Sequence, residues 1–125
     1  MASVTKMTRT GWKAAAVMIA FAATPALADS WGAIAIDLGK FEKSPYYGLG
    51  GGDSEDEATT NSMKFCKEAG GESCKLVVTY NACGAYAASH SHGGWGKSST
   101  RKEAEIQALA GCGDEHCVVV VSDCN

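Results

Sequence analysis

Apolar residues in this chain come in short blocks set between glycines and polar runs. The first block, Ala14 to Ala23, follows Lys6, Arg9 and Lys13 and precedes Pro25 and the run Ala26-Leu27-Ala28. A basic start, a short apolar core and an A-x-A site make the three-part pattern of a cleaved signal peptide. The core is about half as long as the roughly 20 residues a bilayer crossing needs, so a membrane anchor is the poorer reading. Cleavage is expected after Ala28, and no cysteine follows that site to accept a lipid.

Beyond this leader the pattern predicts strand, strand, helix, strand, twice over. Gly32 to Ile36 and Gly84 to Ala88 read as strands of small residues, which points to close approach by another backbone or a helix. Tyr46 to Leu49 and Trp95 to Lys97 read as short second strands. Helices follow, each opened by a capping box, Ser54 with Glu57 and Thr100 with Glu103. Asp53, Glu55 and Asp56 add negative charge at the positive end of the first helix. Ala58, Ser62, Met63 and Cys66 make a narrow stripe of mostly small residues, and Ala104, Ala108, Leu109 and Cys112 repeat it. Gly70-Gly71 and Gly111-Gly113 stop the helices. Leu76 to Val78 and Val118 to Val121 do not alternate, so they read as strands covered on both faces or central in a sheet. Only Asn81-Ala82 separates the third strand from the fourth, which predicts a tight antiparallel reversal.

The two halves align as a degenerate tandem repeat. Trp31 to Asp37 match Cys83 to Ser89 at an offset of 52, and Tyr47-Gly48 match Trp95-Gly96 at 48. Ser54, Glu57, Ala58 and Cys66 match Thr100, Glu103, Ala104 and Cys112 at 46. Cys74 to Val78 match Cys117 to Val121 at 43, and Cys83 matches Cys124 at 41. The units are 31–82 and 83–125, the second with shorter loops. On this alignment Cys66, Cys74 and Cys83 match Cys112, Cys117 and Cys124, three against three.

Composition then narrows the class. The chain has 125 residues, 46% of them hydrophobic, which fits one domain and argues against wholesale disorder. Lys plus Arg is 11 and Asp plus Glu is 14. The leader removes three of those cations, so the 97 residues from 29 to 125 carry a net charge of -6. Such a surface has no basic footprint for nucleic acid. An even set of six cysteines, Cys66, Cys74, Cys83, Cys112, Cys117 and Cys124, in so short an exported chain reads as a disulfide framework. No C-x2-C pair is present, so zinc and thioredoxin-like chemistry are disfavoured. Repeat symmetry favours Cys66 with Cys74 and Cys112 with Cys117, leaving Cys83 with Cys124.

The ordered series of G-A-x-A, aromatic-Gly, S/T-x-x-E-A, a helix ending near Cys, then Cys with a valine-rich strand and C-G-A resembles the bacterial secreted family known as domain of unknown function 4189. The resemblance covers Trp31 to Asn125. It implies a small exported α/β domain of proteobacteria and mycobacteria, some mycobacterial members of which are regarded as secreted host-interacting proteins. It brings no catalytic residues to this chain.

Candidate chemistry centres on Ser89-His90-Ser91-His92-Gly93-Gly94-Trp95. In an extended chain His90 and His92 share a side and can bind zinc or copper, with Asp114 or His116 completing a site. A solvated hairpin loop is the plainer reading, because two histidines are short of a stable ligand set. A hydrolytic triad has Ser, His and Asp to draw on but no G-x-S-x-G elbow. Gly50-Gly51-Gly52 lacks the lysine of a phosphate cradle and reads as a flexible loop leading into the first helix. Phe41, Tyr46 and Tyr47 flank Lys40, Lys43 and Pro45 in one loop, a small aromatic binding surface. Tyr47 and Trp95, matched in the repeat, are expected to pack as core.

The expected fold is a small disulfide-stapled α+β domain of two intertwined repeats, with two helices on one side of one mixed or antiparallel sheet. The expected role is an exported binding or interaction protein, secreted or periplasmic and monomeric, with no catalytic activity and no cofactor. Its partner is a protein of the envelope or host, met by loops Leu38 to Tyr46 and Ser89 to Gly94, where Phe41, Tyr46, His90 and His92 are the candidate binding residues. No nucleic acid and, after cleavage, no membrane is involved. A histidine-loop metal-binding protein is the alternative, and a small hydrolase the weakest reading.

Overall fold

The computed structural model describes residues 30–39 and 44–125. The leader, Lys40, Phe41 and Lys43 lie outside the described residues. Eight elements follow in order: β1 Trp31–Asp37, β2 Tyr47–Gly52, α1 Glu55–Ala69, β3 Cys74–Tyr80, β4 Cys83–Ala88, β5 Gly93–Ser98, α2 Arg101–Cys112 and β6 Val118–Cys124. Each half is strand, strand, helix, strand, as the apolar pattern predicts. The result is a small α+β domain with antiparallel sheets, two helices and three disulfides.

The strands divide into two three-stranded sheets, β2-β1-β3 and β5-β4-β6, in place of the single sheet expected. Each repeat therefore closes its own sheet, and the units are not intertwined. Nor do the helices share one side: α1 lies on the first sheet and α2 on the second. The layers run helix, sheet, sheet, helix. Side-chain alternation explains this. Ala33 and Ala35 face α1, while Ile34 and Ile36 face the other sheet. In β4, Ala85 and Ala87 face α2, while Tyr86 and Ala88 face inward. A strand covered on both faces shows no polar alternation. The core between the sheets holds Ile34, Ile36, Val78, Tyr80, Tyr86, Ala88 and Val121.

The central strands are thus the small-residue ones, and the valine-rich β3 and β6 are edges, opposite to expectation. Their broken alternation comes from a register shift in each. Ile34 pairs with Val78 and Ala35 with Leu76, and Tyr86 pairs with Val121 and Ala87 with Val119. Val77 and Val120 are left over at equivalent places. Bulges of this kind bend an edge strand away from foreign pairing. Asn81-Ala82 does not form a hairpin, because β3 pairs with β1 and β4 with β6. Those two residues carry the chain from one sheet to the other.

Both helices start as the capping boxes predict. Ser54 accepts from the Glu57 amide at 3.1 Å and Thr100 from the Glu103 amide at 3.2 Å. Glu57 reaches back to the Asp53 amide at 2.7 Å, one residue earlier than the usual box. Gly113 ends α2 in the left-handed region at φ 72°, which a glycine adopts without steric cost. The buried stripes are Ala58, Ser62 and Cys66 in α1 and Ala104, Ala108 and Cys112 in α2. Met63 is only partly buried and Leu109 is exposed.

The glycines expected to form a leading loop belong to strand β2. Any Cβ on Gly48 would overlap the backbone of Ser62 and Cys66, and one on Gly50 the backbone of Ala58 and Ser62. Gly94 and Gly96 stand in the same relation to Ala108 and Cys112, and to Ala104 and Ala108. Each helix is therefore seated directly on the backbone of its second strand. This contact fixes the true repeat offset in the second strands as 46, so Gly48 matches Gly94 and Trp95 matches Leu49, not Tyr47.

The disulfides are Cys66–Cys74, Cys112–Cys117 and Cys83–Cys124, the pairing repeat symmetry favours. Their distribution is two and four, not three and three. Cys83 and Cys124 face each other across β4 and β6, both in the second unit.

Candidate functional site

The loop after β4 gathers the residues with chemical potential. Its tip is a turn closed by the Ser89 amide donating to the His92 carbonyl at 2.8 Å. It is not extended, so His90 and His92 lose the two-residue alternation expected of them. The Ser89 side chain is buried. Its hydroxyl donates to Asp114 Oδ2 at 2.8 Å and accepts from the amides of Ser91 and His92 at 3.3 and 3.1 Å. His92 Nδ1 pairs with the Ser91 hydroxyl at 2.9 Å and stands 3.5 Å from Asp114 Oδ2. Asp114 Oδ1 accepts from the His116 amide at 3.1 Å.

Serine, histidine and aspartate therefore meet here, but in the wrong order for a nucleophile. A catalytic serine gives its proton to one histidine nitrogen while the acid holds the other, whereas Ser89 gives its own to the carboxylate and Ser91 meets His92 on Nδ1, the same nitrogen that faces Asp114. The first repeat shows what the cluster does. Asp37, the counterpart of Ser89, accepts from the Gly39 amide at 2.9 Å and from the Glu72 amide at 3.4 Å. One carboxylate there ties the β1–β2 loop to the α1–β3 loop. In the second repeat Ser89 and Asp114 together tie the β4–β5 loop to the α2–β6 loop. The grouping is a loop clamp, built twice with different residues. His90 is exposed beside it. Among the described residues no group of three or more His, Cys, Asp or Glu is placed to hold a metal ion.

The clamp has a pH signature. The His116 amide, and after it the Ser89 hydroxyl, hold the Asp114 carboxyl below the usual carboxylate range. A carboxyl depressed in the folded state stabilises that state above its unfolded pKa, about 3.9. The contribution is lost as pH falls through the lower folded value. In a carbon-detected NMR titration Asp114 should titrate below about 3.9. Exchange of the Ser91 and His92 amides should quicken through the same midpoint. An Asp114 midpoint at or above the ordinary value would remove the clamp.

Aromatic residues form the second feature. Tyr46 is 55% exposed, its ring lying against Gly70 at the end of α1. Tyr47 is 40% and Trp95 51% exposed. The expectation that Tyr47 and Trp95 pack as core is corrected: both lie on edge strands, where only one side is covered by a neighbour. The constant offset of 46 shared by the helix stripe and the G-x-G strands is the signal that separates Trp95 from Tyr47.

The third feature was not foreseen from sequence. Tyr80 leaves β3 with its ring against Gly32 and Gly84, where side chains would overlap it, and its hydroxyl donates to Asp123 Oδ2 of β6 at 2.8 Å. Burial and the neighbouring Asp123 push the Tyr80 phenol far upward, so it stays protonated. Asp123 is the repeat counterpart of Tyr80. Only one ring fits between the two glycines, so the second unit supplies a carboxylate instead. The sheets approach closely where β3 meets β5. Between β2 and β6 they leave a cleft of about 340 Å³, lined by Leu49, Gly50, Gly51, Asp123, Cys124 and Asn125.

Among the described residues no helix is long and apolar enough to cross a membrane. A family model described as Domain of unknown function (DUF4189) matches residues 31–124. No curated protein and no solved structure matches the chain.

Proposed function

The chain belongs to the DUF4189 family, and from that premise we propose that it is an exported binding protein with no chemistry of its own. Exposed aromatic side chains on or beside the paired strands β2 and β5 are the observation that carries this proposal. Tyr46, Tyr47 and Trp95 present large apolar area at positions whose backbone is already fixed. Rigid aromatics lose little entropy when a partner covers them. The absence of chemistry is supported by the side chains themselves: all six cysteines are in disulfides, and the Ser89 proton goes to Asp114. Export is supported by the leader pattern ending at Ala28 and by three disulfides, which persist in oxidising compartments.

The test has two arms. Expression of the full chain in a bacterium, followed by fractionation and N-terminal sequencing, should give an oxidised protein beginning at Asp29 outside the cytoplasm. Cross-linking in envelope or host extract should then capture a partner that a Tyr46→Ala, Tyr47→Ala double variant loses by about tenfold or more, the effect of removing an interface anchor worth roughly 2 kcal/mol. Retention of a reduced chain in the cytoplasm would overturn export. Undiminished capture by the double variant would overturn the aromatic surface.

A further inference from the structure

We propose that the cleft between β2 and β6 binds a cationic group, an alkylammonium or guanidinium, seated on the Asp123 carboxylate with its aliphatic stem against Leu49. The proposal rests on the binding function above and names the chemistry of one ligand group.

Four observations lead there. One oxygen of Asp123 takes the Tyr80 hydroxyl, and among the described residues the other accepts no hydrogen bond. Among the described residues no cation stands within ion-pair distance of Asp123: the one ion pair there is His92 with Asp114, and the guanidinium of Arg101 bonds to the Ser122 carbonyl and hydroxyl at 2.7 and 2.8 Å. A carboxylate partly withdrawn from water and without a direct ion-pair partner favours a cation. The walls also suit one. None of the six lining residues is basic, Gly51 has open space where a side chain would stand, and Leu49 supplies an apolar patch. A cleft of about 340 Å³ is at the lower end of small-molecule sites and holds one such group with its stem. Finally, the sheets meet where β3 faces β5 and part where β2 faces β6. The repeat-related flank carries Tyr80 and Trp95 where this one carries Asp123 and Leu49, so the cleft is a property of one unit pairing and not of the fold's symmetry.

Titration of the oxidised, leader-cleaved protein by amide NMR tests the proposal. The probes are agmatine and a blocked Gly-Arg-Gly tripeptide, with glutarate and 1-pentanol as anionic and neutral controls. Saturable shifts are expected at Leu49, Gly50, Gly51 and Asn125 with a cationic probe, and none with the controls. Tighter binding of agmatine marks a small amine as the source, and tighter binding of the tripeptide marks a protein side chain. Asp123→Asn should weaken the cation at least tenfold. Gly51→Leu should block it while keeping the fold, because a side chain there enters open space, unlike one on Gly50 or Gly52. No saturable shift with either cation, or equal binding by both variants, would overturn the proposal. Either result leaves the aromatic surface standing if the Tyr46→Ala, Tyr47→Ala variant still loses its partner, so the two failures are distinct.

Discussion

Reduction of the three disulfides should unfold the domain at ambient temperature. Cys83 and Cys124 are 41 residues apart, against eight for Cys66 and Cys74 and five for Cys112 and Cys117. The entropy removed from the unfolded chain grows with the closed loop, so the bridges contribute about 4, 2.5 and 2 kcal/mol in that order. Together these approach the whole stability of a domain this small, roughly 5–10 kcal/mol. The core alone cannot replace them, because the side chains between each helix and its sheet are largely alanines, Ala33 and Ala35 with Ala58, and Ala85 and Ala87 with Ala104 and Ala108, each burying little apolar area. Thermal melts followed by circular dichroism, with and without a phosphine reductant, measure the effect. A Cys83→Ala, Cys124→Ala variant should lose the most among single-bridge variants. A reduced protein that melts within a few degrees of the oxidised one would refute the account.

Gly48→Ala should be nearly as damaging, although it adds one methyl group. The new carbon would overlap backbone atoms of Ser62 and Cys66, which cannot rotate aside as a side chain would. The helix would have to lift from β2, and Cys66 is anchored below it by its bond to Cys74. Overpacking a rigid contact costs about 3 kcal/mol, outweighing the roughly 0.5–1 kcal/mol that alanine gains over glycine in the unfolded chain. A net loss of about 2–3 kcal/mol corresponds to a melting temperature lower by about 10–20 °C. Gly94→Ala, its repeat counterpart, should behave alike. Gly51→Ala, one strand face away, should melt within a few degrees of the parent. Equal melting of Gly48→Ala and Gly51→Ala would show that the helices do not bear on the strand backbone.

Features set by neighbours in sequence were readable without the structure. The caps at Ser54 and Thr100, the stripes on α1 and α2 and the bridges from helix to following strand all depend on short spacings. Which strands pair is a distant property, and there the sequence misled. Ala33 and Ala35 pointed correctly to a close helix, but the same strand hides Ile34 and Ile36 on its other face, and nothing local says that a second sheet covers them. The repeat was misregistered in one place. Tyr47-Gly48 and Trp95-Gly96 match as dipeptides, while the physical constraint is a glycine beneath each helix turn. The loop cluster invited a chemical reading because Ser89, His92 and Asp114 are reactive types. Its structural role shows only when Asp37 is seen doing the same work alone. The cleft was invisible for a related reason, since it arises where Asp123 departs from Tyr80.

Among the described residues no ladder of backbone hydrogen bonds crosses from one repeat to the other; the halves meet through side chains and the two-residue link Asn81-Ala82. Every strand pairing is thus satisfied within one half, as in a two-fold dimer whose subunits happen to be joined. Exchange of halves between two chains would break no strand pairing and would bury the same apolar faces. A link this short is the kind of hinge that favours such an exchange. Concentrated or refolded protein is therefore the place to look for a swapped dimer, in which each half packs on its counterpart from the other chain while the bridges, all internal to a half, stay intact.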